Sequence, residues 1–365
     1  MNDTAPRDER LDKALLDKAG CVRAGEEVAI GPLRKWLEDN VGDLKGDMHI
    51  SQYAGGASNW TYSLTFDNRA LILRRPPKGT KAKGAHNMGR EYRLQQSLKP
   101  VFDKVPTMLG YTDDESVIGA EFYVMEKLSG IIPRREFPRG LTLTTEDARH
   151  LCEVALDELI ALHNVDYAAA GLAHIGKGAG YAERQIEGWI TRYQKARTRN
   201  VPTAKNIMQW LEKNLPSKET ICITHNDYRL DNLVLDVKAP SQIIGVLDWE
   251  LATLGDPLMD VGNSLAYWIQ ADDDFFARKT RRQPTHLPGM MTRKDVIAYY
   301  CNKQDVDLHD FAFYEVYGLF RLAGIVQQIY YRYHHKQTRN PAYKQLWLLV
   351  HYLLYRCKKI IKRKR

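Results

Sequence analysis

The sequence predicts an α+β chain in a bilobal arrangement, with a small β-rich lobe first and a larger, mainly helical lobe after it. Three observations predict this. Short β-like runs separated by glycine or Asp-Asn turn signals precede residue 126. Beyond Gly130 the pattern shifts to helical periodicity, and a strand-rich island at residues 221–250 interrupts it. The chain has 365 residues, 44% of them hydrophobic, which is enough for two lobes with real cores but not for a long modular array.

Each element follows from local pattern. Ile30–Asn40 has apolar residues at Ile30, Leu33 and Leu37, spaced as one face of a helix. Residues 49–53, 60–66 and 70–74 read as strands, Met88–Leu98 as a helix and residues 121–125 as a strand. Residues 125–130 read as a connector. Thr145–His163 opens with Thr-x-x-Ala, carries acids in its first turn and continues with helical spacing. Residues 186–196, 206–214 and 313–333 read as further helices. The expected division is residues 1–128 for the N-terminal lobe, with an N-terminal helical extension, and residues 129–365 for the helical lobe.

Charge and cysteine use narrow the function classes. The net charge of +8 arises from 53 basic and 45 acidic residues, yet seven Lys or Arg and no acid lie in the last ten positions. The body is therefore almost neutral, which argues against a nucleic-acid partner. Five cysteines without a C-x-x-C pair predict reduced thiols in a cytoplasmic protein. The N-terminus lacks the apolar core of a signal peptide. The best apolar run, residues 346–355, is too short to span a bilayer. Followed by the basic tail, it allows a weak contact with an anionic membrane surface; the competing reading is a C-terminal core helix with a solvated tail. Oligomeric state is not legible.

The chemistry concentrates in ICITHNDYRLDNLVLDVKAPSQIIGVLDWELATLGDPLMD, residues 221–260. ICIT is a short strand, HNDYRLDN a polar loop, and NLVLD and IIGVLD two strands joined by a turn. Paired as an antiparallel hairpin, they place Asn232 at the start of one strand and Asp248 at the end of the other, at the same open end. Asp227 on the preceding loop can point into the same space. Three such oxygen-bearing side chains do not belong in a core, but they suit a hard cation such as Mg²⁺ completed by phosphates and water. His225, Asp227 and Asn232 match the H-x-D-x-x-x-x-N spacing of kinase catalytic loops, and Asp248 stands where the metal-binding Asp follows. Asp231 reads as a solvated loop acid and His225 as a brace. Asp256-Pro257 reads as a helix N-cap and N1, and Asp260 as a brace of the loop.

These residues resemble the aminoglycoside phosphotransferase and choline kinase group, kinase-like small-molecule phosphotransferases. Within that group the chain is similar to the branch with the kinase-like N-terminal domains of acyl-CoA dehydrogenase family members 10 and 11. GGASNWTYSL, LILRRPP, GREYRLQQSL and FYVMEKLSG extend the resemblance through the first lobe. It implies a protein-kinase-like fold, ATP and Mg²⁺ as cofactors, and a small-molecule hydroxyl acceptor as partner. It implies that Asp227 orients the acceptor hydroxyl and takes its proton, and that Asn232 and Asp248 hold the metal. Gly55, Gly56, Ser58 and Asn59 would turn over the phosphates, and backbone groups around Glu126 to Leu128 would hold the adenine.

Departures from the pattern matter too. Arg74 stands where a kinase strand has Lys, with Glu91 as its natural partner and Arg75 on the opposite strand face. Asn226 stands where antibiotic kinases typically have Gly. Trp249-Glu250 replaces Phe-Gly, and no Ala-Pro-Glu segment follows, which argues against a protein kinase. Arg321, Gln327 and Tyr330 share one side of a helix and are candidate acceptor contacts, the competing reading being structural pairing. The acids Glu250 and Asp272 to Asp274 stand against Arg278, Lys279, Arg281, Arg282 and Arg321, a balance that suits a hydroxy acid or acyl thioester better than a polycation. The competing function is a nucleotide-binding pseudokinase serving as an interaction module.

Overall fold

The structure, a computed structural model, describes residues 15–54, 59–77, 87–306 and 311–364. The first lobe is built on a five-stranded antiparallel sheet in the order β1-β2-β3-β5-β4. Its strands are β1 His49–Gln52, β2 Trp60–Thr65, β3 Ala70–Arg75, β4 Met108–Thr112 and β5 Phe122–Glu126. Helix α1, Ile30–Asn40, covers one face with Leu33 and Leu37, and α2, Met88–Leu98, lies against the other. Two-residue alternation divides β3. Leu71 and Leu73 enter the α1 core with Tyr62, Leu64 and Val124, while Ile72 joins Met88, Tyr123 and Met125 on the α2 side. Arg74 follows Ile72 to that side.

The sequence places both helices within their observed bounds, but Ile30 is 59% exposed, so the buried stripe of α1 begins at Leu33. Asp17 to Ala29, ahead of that helix, is extended and turned. Strand β4 escaped the sequence reading. Gly110 interrupts its pattern, pairing with β5 is irregular there, and no residue in it is fully buried.

Beyond β5 the chain crosses to the helical lobe, where Ile131 exchanges two backbone hydrogen bonds with Leu235. Helix α3 is Thr145–His163, opened by a reciprocal Thr144–Asp147 capping box. It is followed by α4 Tyr181–Ala196, α5 Lys205–Lys213, α6 Pro257–Tyr267, α7 Phe275–Thr280, α8 Arg293–Lys303, α9 Ala312–His334 and α10 Leu346–Arg363. Two antiparallel ribbons interrupt them. One pairs β6, Cys222–Thr224, with β9, Thr253–Gly255; the other is the hairpin of β7, Leu233–Leu235, and β8, Ile243–Val246.

Helix α9 is the spine of this lobe, buried along most of its length between α4, α6 and α10. It meets α6 at Gly318 and Gly262. A Cβ on Gly318 would collide with the Gly262 carbonyl, so glycine permits the close crossing. Helix α10 buries Val350, Leu353, Leu354 and Cys357, while Leu348 and Tyr355 of the apolar run stay exposed. The basic residues continue the helix to Arg363 instead of forming an irregular tail. Among the described residues no helix is long and apolar enough to cross a membrane. All five cysteines are free, with Cys21 alone exposed.

Candidate active site

The loop from His225 to Asn232 connects β6 to β7 and is held from beneath by a buried carboxylate. Asp260, in the first turn of α6, accepts from the backbone N–H of His225 at 2.7 Å and of Asn226 at 2.8 Å. His163 Nε2 lies 3.2 Å from the same carboxylate. Asp256 caps this helix by accepting from Met259 N–H, with Pro257 at N1. His225 is fully buried. Its Nδ1 accepts from Asp227 N–H at 3.2 Å, so Nε2 carries the proton and donates to Leu247 O at 3.0 Å. Both residues therefore brace the loop, as their sequence positions suggest.

Asn226 adopts φ +64°, in the left-handed region. Glycine, or asparagine with its short polar side chain, tolerates that conformation. This accounts for Asn in a position where glycine is familiar. Its side chain bonds Thr224, Leu251, Tyr181 and Asn263, and its carbonyl accepts from Arg321 at 2.9 Å. Arg321 is thus a loop brace rather than an acceptor contact. Gln327 donates to Ala196 O, and Tyr330 accepts from Asn200 Nδ2, so the other two candidates on α9 are structural as well.

Asp227 is gripped on both oxygens. Asn232 Nδ2 donates to Oδ2 at 3.1 Å and to the Asp227 carbonyl at 2.8 Å, and Arg229 Nε lies 3.1 Å from Oδ1. The sequence reading passed over Arg229. Its guanidinium stacks 4.6 Å over the Tyr267 ring and also reaches Asp231 at 3.4 Å. Burial works against its charge, but Asp227 and Asp231 outweigh burial and hold it firmly protonated. Asp231 is not the solvated acid expected. Its side chain is 17% exposed, it lines the interlobe cleft, and burial pushes its carboxyl up against the pull of Arg229. An Arg two residues from each acid was the available signal.

Asn232 closes a 3₁₀ turn just before β7, and Asp248 lies two residues past β8, at φ +68°. Each is slightly outside the strand expected to carry it, yet Leu233 pairs with Val246 and Leu247 N–H donates to Asn232 O at 2.8 Å. The hairpin therefore delivers both side chains to one end. From the first lobe, Arg74 donates to Glu91 Oε1 at 2.9 Å and to Asp248 Oδ1 at 3.1 Å. Tyr123 OH donates to the same Glu91 oxygen at 2.8 Å. Burial opposes the Arg74 charge, but Glu91, Tyr123, Asp248 and Glu250 outweigh it and hold the guanidinium protonated. Arg75 points the other way, fully buried, bonded to Ile118 O and near the Trp60 ring. Arg74→Lys keeps the charge but loses the fork that spans two carboxylates. It is expected to cost about 1–2 kcal/mol, read from urea midpoints.

Asn59 is buried and donates to Glu250 at 3.0 Å, tying the first lobe to the residue pair after Asp248. Gly55, Gly56 and Ser58 lie outside the described residues. At the hinge, the Glu126 carboxylate accepts from Thr107 N–H at 2.7 Å, and the Glu126 N–H donates to Thr107 O at 2.9 Å. Leu128 lines the cleft and packs on Gly245, where any Cβ would collide with it. The cleft runs between the lobes from Met125–Gly130 past Ile72 to Arg74, Asn232 and Asp248.

Among the described residues no group of three His, Cys, Asp or Glu side chains is placed to hold a metal alone. Asn232 and Asp248 instead offer two protein oxygens on the cleft, with Asp248 34% exposed. That fits Mg²⁺, which takes one or two protein ligands and completes its shell with phosphate and water.

The model of the phosphotransferase enzyme family matches residues 49–292. Acyl-CoA dehydrogenase family member 10 of Mus musculus is 34% identical over 315 residues, covering 85% of this chain and 29% of that protein. Acyl-CoA dehydrogenase family member 11 of Rattus norvegicus is 35% identical over 296 residues, covering 80% and 37% respectively. The chain thus spans about a third of the length of these relatives. Among solved structures, a Ralstonia eutropha JMP134 protein assigned as an aminoglycoside phosphotransferase superposes with a TM-score of 0.75 at 29% identity, covering 91% of this chain and 99% of that one.

Proposed function

This chain belongs to the phosphotransferase enzyme family, and from that premise we propose that it moves the γ-phosphoryl group of ATP to a hydroxyl of a small molecule, with Asp227, Asn232 and Asp248 at the centre. Its bilobal α+β architecture is the kinase-like fold of the aminoglycoside phosphotransferases. One observation carries the reading. Asp227, Asn232 and Asp248 converge on one end of the hairpin, where Arg74 of the buried Arg74–Glu91 pair meets Asp248 in a cleft that begins at the hinge.

Hinge backbone near Glu126 to Leu128 holds the adenine, and Asn59 with Gly55, Gly56 and Ser58 borders the phosphates. Arg74 pairs with phosphate oxygens while Glu91 keeps its side chain in place. Asn232 and Asp248 would hold Mg²⁺, which when bound neutralises phosphate charge. Asp227 orients the acceptor hydroxyl and takes its proton as the hydroxyl oxygen bonds to the γ-phosphorus. The bond to the β,γ-bridging oxygen breaks, and ADP leaves. Arg229 and Asn232 fix the Asp227 carboxylate, so positioning contributes more than basicity.

The acceptor we propose is a hydroxylated carboxylic acid or its acyl thioester. A polycationic acceptor would need an acidic pocket. The acids Glu250 and Asp272 to Asp274 are engaged elsewhere: Glu250 with Asn59, Asp272 with Gln270, Asp273 with Arg293, and Asp274 with Tyr352 and the N-terminus of α7. The acyl-CoA name of the relatives points in the same direction.

The test is nucleotide-dependent thermal stabilisation followed by a phosphoryl-transfer screen. Mg-ATP at about 100 times its Kd is expected to stabilise the wild type by about 2.7 kcal/mol, and Asp248→Ala to lose most of the Mg²⁺-dependent part. ADP release stimulated by aminoglycosides or choline, and not by hydroxy acids or their thioesters, would remove the acceptor reading.

A further inference from the structure

We propose that residues 15–20, which precede the whole kinase-like frame, form a wall of the nucleotide cleft and set how fast nucleotide leaves it. The inference rests on the nucleotide reading above. Leu16 and Asp17 line the same cavity as the hinge, Arg74, Asn232 and Asp248. The segment is attached to both lobes. On one side, Leu15 is 6% exposed within the large apolar core, and Asp17 Oδ2 meets Arg134 Nη2 at 2.7 Å. Arg134 also lines the cleft and lies three residues after Ile131, which is bonded to the catalytic hairpin at Leu235. On the other side, Gly20 and Gln52 exchange two backbone hydrogen bonds, at 2.8 and 2.9 Å, at the end of β1. Arg23 strengthens that attachment: its N–H donates to Gln52 Oε1 at 2.9 Å and its guanidinium to Tyr53 O at 3.3 Å. Tyr53 is itself a cleft residue.

Chain length makes this arrangement consequential. Asp17 and Gly20 are three residues apart, and three residues reach at most about 11 Å. While both attachments hold, the lobes cannot part on this side by more than that slack. A nucleotide leaving on this side therefore needs one attachment to let go. The Asp17–Arg134 pair is the weaker of the two, because both side chains are partly exposed, at 30% and 52%. Its release sets the exit rate. A segment that only stabilised the fold would affect melting without affecting nucleotide release.

The experiment uses the full chain and a fluorescent ADP analogue with Mg²⁺, following dissociation by stopped flow and affinity by calorimetry with ATP. Asp17→Asn and Arg134→Gln are each expected to raise the dissociation rate by up to about fivefold, the span of an exposed ion pair. The double variant should be no worse than either single one, since both remove the same contact. Leu15→Ala, which loosens the buried anchor, should raise it by about tenfold or more. Melting of the nucleotide-free Asp17→Asn and Arg134→Gln proteins should stay within a few degrees of the wild type. Unchanged dissociation in Asp17→Asn and Arg134→Gln, in a wild-type background that binds ATP, overturns the proposal while leaving the kinase reading intact. A wild type that binds no nucleotide overturns both.

Discussion

Asp227→Asn is expected to lower phosphoryl transfer by about 10³-fold while leaving ATP affinity within about twofold of wild type. The substitution preserves shape and removes the charge. The side-chain oxygen that remains can still face Arg229, which sits 3.1 Å from the native carboxylate. The new amide nitrogen cannot accept a proton from the acceptor hydroxyl, and it places a donor against a donor at Asn232 Nδ2. Nucleotide contacts proposed at the hinge and at Arg74 are untouched. Steady-state ADP release with an active acceptor, beside calorimetric ATP titration, separates the two effects. Retained turnover would remove the central role given to Asp227. Lost binding would mean that the residue holds the site together rather than acting in it.

The second large effect is structural. Asp260→Ala is expected to cost about 3–5 kcal/mol, because it strands the buried N–H groups of His225 and Asn226 and removes the carboxylate facing His163. The loop carrying Asp227 would lose its floor, so activity should fall along with stability. Burial alone would raise the Asp260 carboxyl, but the hydrogen bond and charge of His163, with His225, hold it below the usual carboxylate range. A folded value below the unfolded one means that this stabilisation is fully present above about pH 4. It is lost as pH falls through the folded value. Urea midpoints measured from pH 3 to 7 should therefore drop on acidification in the wild type and drop less in Asp260→Ala. Equal slopes would show that other carboxylates carry the acid response.

Much of the site could be read from spacing alone. A loop of fixed length between two short strands leaves few places for Asp227, Asn232 and Asp248, and strand alternation separates Arg74 from Arg75. The Asp256-Pro257 start of α6 puts Asp260 one turn into a helix, within reach of the loop. Helices α1, α2 and α3 were legible to the residue because apolar periodicity and caps are local signals. Strands β4 and β9 were not: Gly110 interrupts the first, and the second, Thr253–Gly255, holds a single large apolar residue and ends on glycine.

What the sequence determined by itself was the placement of the proposed reaction centre, because the spacing of Asp227, Asn232 and Asp248 is set along the chain. The tertiary structure decided which neighbours that centre has. Arg321, read either as an acceptor contact or as a structural pairing, braces the Asn226 carbonyl, and Asp231, read as a solvated acid, lines the cleft beside Arg229. Leu16 and Asp17 line the cleft in a segment attached to Gln52 through Gly20 and to Arg134 through Asp17. For Arg321 and for residues 15–20 the physical reason is the same. Burial and ion pairing join residues tens of positions apart, and a local pattern carries no record of the partner.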